Sequence, residues 1–282
     1  MNIQWFPGHM TKTRRMMEED IKLIDLVIEI VDARLPLSSR NPSIDDIVGA
    51  KPRLLLLNKS DIADSSITAM WEAYFKNNGV NAMVICSTGG KSLNGIFVKV
   101  KEILADKIAK QKEKGIVNRP IKLMIVGVPN VGKSSLINKL AGKKRAITGD
   151  RPGVTRGKQW IRLENGFELL DTPGILWPKF EDEQVGLKLA YTGAVKDDII
   201  DIEELACKLL EYLKTSYPES LTMRYKMTDF DDMTGYEMLE LLGRKRGFVI
   251  SGGEIDTERA AKILLDEFRG AKLGNISLEK PE

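Results

Sequence analysis

Eight residues constrain this chain more than any others. Gly127-Val128-Pro129-Asn130-Val131-Gly132-Lys133-Ser134 fit the pattern GxxxxGK[ST], lying between an apolar run, Lys122–Val126, and a stretch of helical spacing, Lys133–Ala141. Strand, glycine loop and helix in that order form the setting a phosphate loop requires. Glycines let the backbone wrap phosphates, so the N–H groups of Val131, Gly132, Lys133, Ser134 and Ser135 and the helix N-terminus would face negative charge. Lys133 would reach the β- and γ-phosphates, and the Ser134 hydroxyl would ligate Mg²⁺. The alternative is a glycine-rich strand-to-helix turn.

Further elements add to this one. Asp171-Thr172-Pro173-Gly174 ends another predicted strand. There Asp171 would hold Mg²⁺ through a water and the Gly174 N–H would touch the γ-phosphate. Thr155, in Arg151-Pro152-Gly153-Val154-Thr155-Arg156, is the candidate switch threonine over the metal, against a plain loop threonine. Asn58-Lys59-Ser60-Asp61 follows the run Arg53–Leu57 and fits NKxD. A carboxylate at Asp61 can accept from both guanine N1–H and the exocyclic N2 amine, whereas adenine offers an acceptor at N1 and no N2 amine. Mispairing would leave buried polar groups unmatched, so the base is guanine and the ligands are GTP and GDP. Asn58 would brace the phosphate loop, Lys59 would stack its stem on the base, and backbone N–H groups of Ser87-Thr88-Gly89 would meet guanine O6.

The surrounding pattern is α/β. Leu26–Val31, Arg53–Leu57, Ala82–Ile85 and Lys122–Val126 are short, branched and bounded by turn residues, the pattern of buried parallel strands. Helical spacing at Thr11–Ile24, Ile67–Asn77, Leu93–Lys114 and Lys133–Ala141 separates them, and Lys158–Leu163 with Phe167–Leu170 reads as an added hairpin. After Gly174 the chain turns helical, at Val185–Ala194, Ile202–Leu213, Tyr236–Leu242 and Thr257–Phe268. The division expected is therefore a nucleotide domain at 1–180 and a small all-helical domain at 181–282. Charge divides at the same place: residues 1–180 carry 29 Lys and Arg against 18 Asp and Glu, residues 181–282 carry 14 against 22. A basic front invites a polyanionic partner but also suits a solvated surface. Cys86 and Cys207 stand in no CxxC frame and read as single buried thiols, and no apolar run reaches a membrane span. The expectation is a soluble cytoplasmic protein, monomeric when free and without a membrane partner.

The order of the elements is the distinctive point. Base-reading residues come first, at 58–61 and 87–89, and phosphate and switch residues follow, at 127–134, 155 and 171–174. Ordinary GTPases run the other way, so the chain resembles a circularly permuted GTPase: a mostly parallel sheet flanked by helices, followed by helices alone. Trp5-Phe6-Pro7-Gly8-His9-Met10, Val31-Asp32-Ala33-Arg34 with Pro36 and Ser39-Arg40-Asn41-Pro42, and Asp171-Thr172-Pro173-Gly174-Ile175-Leu176-Trp177-Pro178 make the resemblance specific to the ribosome biogenesis GTPase A family. It covers essentially the whole chain. It implies a GTP-hydrolysing bacterial factor that binds the maturing large (50S) subunit, with 23S rRNA and ribosomal proteins as partners, and couples hydrolysis to late maturation and its own release. The alternative is a nucleotide-gated scaffold in which turnover is incidental.

Two residues carry competing readings. Ile175 stands where many GTPases place the glutamine that orients the attacking water, so another group must do so. His9, the only histidine, is the internal candidate; otherwise it binds a neighbour in a rigid Pro-Gly turn. Similarity to potassium-stimulated GTPases suggests that Asn130 ligates K⁺ beside the phosphates, against a purely structural role. For RNA contact the basic candidates are Arg14 and Arg15, Lys143-Lys144-Arg145 and Arg244-Lys245-Arg246.

Overall fold

The computed structural model describes residues 10–89, 93–116, 119–142, 159–163, 166–172 and 182–282. His9, Lys143-Lys144-Arg145, Thr155 and Gly174 lie outside the described residues. The described residues divide into two units, residues 10–172 together with Ser277–Glu282 in the first and residues 182–276 in the second.

Among the described residues of the first unit, six strands form one sheet in the order β3-β2-β1-β4-β6-β5. Their ranges are β1 Leu26–Asp32, β2 Arg53–Asn58, β3 Ala82–Val84, β4 Ile121–Val126, β5 Gln159–Arg162 and β6 Phe167–Asp171. All pairings are parallel except β5 with β6. Strand β1 is buried along its whole length, as a strand covered on both faces must be. Its one charged interior residue, Glu29, accepts from Arg40 at 3.2 Å and Arg53 at 3.1 Å.

Helices lie on both faces. Helices α1 (Met10–Asp20) and α2 (Pro42–Val48) bring Met17, Ile44 and Val48 against Val27, Met124, Val126 and Leu170. Helix α3 (Ser65–Asn77) packs Ile67, Trp71 and Phe75 on Val31, Leu55 and Leu57. Alternation puts Val27 and Val31 on one face, so these three helices share it. Helix α4 (Asn94–Ile103) stacks Phe97 on Phe167 at 4.7 Å between centroids. Phe167 and Leu170 have opposite parity along β6, so α4 covers the other face.

The helical stretch expected at Leu93–Lys114 is broken at Leu104 into α4 and α5 (Ala105–Glu113). This pair returns the chain from edge strand β3 to central strand β4, the joint that a permuted order needs. Asp25, buried just before β1, clamps it by accepting from Lys107 Nζ at 2.6 Å, from the Lys122 N–H at 2.8 Å and, at 3.5 Å, from Arg119.

The second unit is helical: α7 Glu183–Tyr191, α8 Ile202–Ser216, α9 Pro218–Tyr225, α10 Gly235–Arg246 and α11 Thr257–Arg269. Capping follows the sequence. Asp182, Asp201 and Asp256 accept first-turn N–H groups, and Thr234 with Glu237 forms a capping box. Leu205, Leu209 and Leu213 of α8, Met238 and Leu242 of α10, and Leu264 and Phe268 of α11 are buried. A Cβ on Gly235 would stand 2.4 Å from the Cys207 carbonyl oxygen, so only glycine permits that close start to α10. Glu267 joins α9, α10 and α11 through Arg224 at 2.8 Å and Arg246 at 2.9 Å.

Three expectations change. Helices α2 and α9 carried no clear sequence signal. Residues 277–282 belong with the sheet rather than with the helical domain expected at 181–282, because Ser277 and Leu278 are buried there. Both cysteines are half-buried rather than buried; burial, with Glu211, Glu203 and Asp201 nearby, pushes the Cys207 thiol up to about 11.

Two outcomes follow from these ion pairs. Asp25→Ala should destabilise the sheet unit by about 1–3 kcal/mol in urea titration, and not more, since Lys107 and Arg119 are half-exposed and regain water. The hydrogen bonds from Arg224, working against burial, hold Glu267 down at about 2 from an ordinary 4.5. A depressed carboxylate contributes stability above its unfolded value and loses it as pH falls through the folded one. The helical unit should therefore loosen between pH 4.5 and 2, a step that circular dichroism should show blunted in Glu267→Gln.

Candidate nucleotide site

Five parallel strands, β1, β2, β3, β4 and β6, end at the same edge of the sheet, and so do the motifs. Parallel α/β sheets place ligands at that edge, beside the strand where chain direction across the sheet reverses. Here that strand is β4, flanked by β1 on one side and β6 on the other.

The loop after β4 is shaped by unusual backbone angles. Gly127 has φ +156°, Gly132 +101° and Asn130 +58°. A Cβ on Gly132 would lie 2.3 Å from Asn58 Nδ2, and one on Gly127 2.5 Å from the Ile30 carbonyl oxygen. Helix α6 (Lys133–Leu140) starts directly behind, and Lys133, buried, donates from Nζ to the carbonyls of Gly127 and Val128, each at 3.0 Å. The ammonium is thus held over the loop's concave backbone. Ser134 and Ser135, both half-buried, occupy the first turn of α6, whose N–H groups lack intrahelical partners.

Asn58, at the end of β2 and fully buried, ties this loop to the base-reading side. Its Nδ2 donates to the Val131 carbonyl at 2.8 Å and to Ser87 Oγ at 3.1 Å, and its Oδ1 accepts from the Ser87 N–H at 2.9 Å. One amide thereby joins residues 58, 87 and 131. Lys59 follows with φ +63°, a left-handed angle rare for a side chain of its size. Asp61 is exposed and accepts from Thr88 Oγ1 at 3.3 Å, which draws Thr88 to the same loop. Cys86 Sγ lies 3.0 Å from Thr88 Oγ1 and accepts from the Gly89 N–H, holding the 86–89 turn.

Asp171 closes β6 opposite Ile125 of β4, and the Thr172 hydroxyl donates to the Ile125 carbonyl at 2.6 Å. Strand β6, which carries the candidate Asp171, is thus bound to β4, which precedes the glycine loop.

Matches to known proteins agree with this geometry. Residues 122–222 match a family described as "50S ribosome-binding GTPase". Ribosome biogenesis GTPase A of Bacillus pumilus (strain SAFR-032) is 50% identical over 282 residues, 100% of each chain. The chain belongs to the ribosome biogenesis GTPase A family. The Thermotoga maritima protein of that name is 34% identical over 280 residues, 99% of this chain and 95% of its own. The structure of GNP-bound YlqF from T. maritima is similar at TM-score 0.69 and 30% identity, covering 96% of this chain and 99% of that one. As a member of the ribosome biogenesis GTPase A family the chain is a GTP-hydrolysing enzyme with a permuted α/β domain. The match to the wider GTPase family starts at residue 122, inside β4, and omits the upstream base-reading half, as permutation requires.

Asp32 was not singled out for the site by its chemistry. It ends β1, buried, and accepts from Arg34 Nε at 2.9 Å, from the second guanidinium nitrogen at 2.8 Å and from the Arg34 N–H at 3.1 Å. Lys59 Nζ lies 3.1 Å from Oδ2, the oxygen that the second guanidinium nitrogen also meets. Burial pushes the Asp32 carboxyl up, but Arg34 and Lys59 outweigh it and hold the group well below the usual carboxylate range. The available signal was an acid closing a buried strand with an arginine two residues on.

Replacing Asn58 with Ala should strand the Val131 carbonyl and the Ser87 N–H at about 1–3 kcal/mol for each group left unsatisfied. GDP titration should show affinity falling at least about tenfold. Gly132→Ala should fail likewise, through collision with the same amide.

Proposed function

We propose that this GTPase binds the maturing large ribosomal subunit and couples GTP hydrolysis to late maturation and to its own release. The reading is supported by one observation above all: in sequence, the strand that ends at Asp171 and the helical unit with α7 are neighbouring described elements. A change at 171–174 on hydrolysis would reach that unit through the covalent chain. Relatives named for ribosome biogenesis supply the partner class. Among the described residues no helix is long and apolar enough to cross a membrane, which suits a cytoplasmic setting.

The donor set fits Mg²⁺. Ser134 at the start of α6 offers a hydroxyl, and Asp171 stands at the end of a strand paired with the phosphate-loop strand; with Thr155 these are hard oxygen donors, the kind Mg²⁺ takes alongside phosphate oxygens. When bound, the ion would neutralise charge on the β- and γ-phosphates. Lys133, already over the loop, would add to this, and the loop's N–H groups would orient the phosphates. Asn130 is the proposed ligand for K⁺, and its left-handed backbone sets it within the loop's own curvature. His9 is the proposed group that orients the attacking water.

For RNA the basic candidates sort by exposure. Arg244 and Lys245 are exposed at the end of α10, whereas Arg246 is bound to Glu267 and lies over the Tyr225 ring. Arg14 pairs with Glu18, and Arg15 is exposed. An RNA contact in the helical unit would therefore use Arg244 and Lys245, with Arg246 structural.

GTP turnover measured with and without large subunits tests the proposal. Strong stimulation, reduced in His9→Ala without loss of GTP affinity, is expected. Nucleotide-dependent binding to the subunit with no stimulation would instead make the protein a gated scaffold.

A further inference from the structure

The last residues of the chain pack on the sheet unit beside the base-reading loop, a place nothing in the motifs assigns. The Leu278 N–H donates to the Arg34 carbonyl at 2.6 Å. The Glu279 carboxylate accepts from the Leu37 N–H at 2.9 Å, the Ser38 N–H at 3.2 Å and the Ser38 hydroxyl. The Glu279 carbonyl accepts from Trp71 Nε1 at 3.1 Å, and Ser277 Oγ accepts from the Asp64 N–H at 3.1 Å. Ser277 is 1% exposed and Leu278 5%, so this is a docked strap rather than a trailing end.

The strap touches two loops. One follows β1 and runs from Arg34 to Ser38; the other follows β2 and runs from Lys59 to Asp64. Within the first, Arg34 grips Asp32, and Asp32 reaches across to Lys59 at 3.1 Å. Within the second, Asp64 caps α3 by accepting from Ser66 and Ile67 three residues beyond Asp61. Strap, Arg34, Asp32 and Lys59 form one continuous path, and Ser277 and Asp64 fix the far end of the loop that carries Asp61. Lys59 needs such support, since its backbone angle is strained and persists only when its surroundings fix it.

We propose that the strap Ser277–Glu279 is a positioning element for guanine recognition: it staples the loops after β1 and β2 together and so sets Lys59 and Asp61 against the base. This rests on the reading of Asp61 as the group that accepts from guanine N1–H and N2–H. Its action is on binding, because its hydrogen bonds run to the loops after β1 and β2 and to Trp71 of α3.

The test compares the full-length parent with Glu279→Ala, Leu278→Pro and Asp61→Asn. Leu278→Pro removes the N–H that meets the Arg34 carbonyl, and Glu279→Ala removes the acceptor for Leu37 and Ser38, so the two detach the strap by independent means. Release of fluorescent GDP, relative affinity for GDP and IDP, and the steady-state parameters for GTP are read for each. Inosine lacks the N2 amine, so the GDP-to-IDP ratio reports Asp61 placement directly. Both strap variants should release GDP about tenfold faster, raise KM with kcat within about twofold, and narrow the GDP-to-IDP preference. A purely structural strap would lower Tm and leave that preference alone. The proposal is overturned if either folded strap variant keeps parental GDP release and preference while Asp61→Asn loses the preference. If Asp61→Asn itself keeps it, the base-reading assignment has failed instead, and the strap proposal with it.

Discussion

The side-chain amide of Asn58 holds the two halves of the nucleotide site in one piece. Through Val131 it grips the phosphate loop, and through both polar groups of Ser87 it grips the second base loop. It is fully buried, so each bond is made where water cannot replace it, and a lost partner would cost more than the bond contributes. Asn58 also excludes any side chain at Gly132 by sheer proximity. Every other feature of the site, from the Lys133 ammonium over the loop to the Thr172 tie on Ile125, builds outward from that junction.

Permutation changes how the chain reaches this arrangement without changing the arrangement. Starting from β4 and wrapping from the end of the sheet unit to β1, the strands recover an uninterrupted phosphate-first sequence. The cost is a long return from β3 at the edge to β4 in the centre, which α4 and α5 span and Asp25 secures. The gain is that the chain leaves the sheet at the second switch. In sequence the helical unit falls between the strand that ends at Asp171 and the strap Ser277–Glu279.

Much of this was legible because particular residues admit few alternatives. A strand followed by Gly127 through Ser134 predicts its own left-handed glycines. Alternating apolar runs predict strands that the structure orders into one sheet. The end of α4 escaped notice because Leu104 continues the helical spacing while the backbone turns. Helix α2 is short, with buried positions only at Ile44 and Val48, too few to show a period. Arg246 read as one of three equivalent cations until the fold set Glu267 beside it.

Local chemistry in the sequence by itself determined the phosphate loop, the preference for guanine, the permuted order and the change to helices after Gly174. Those are statements about neighbours along the chain or about the order of motifs, where geometry is set within a few bonds. Contacts between distant residues belonged to the tertiary structure alone. Asp32 meeting Lys59, Asn58 meeting Val131, and Glu279 meeting Leu37 across 242 positions depend on which strands lie side by side and on where residues 277–279 pack. A glutamate outside any motif carries no period; it acquires a role only when folding sets it against backbone amides.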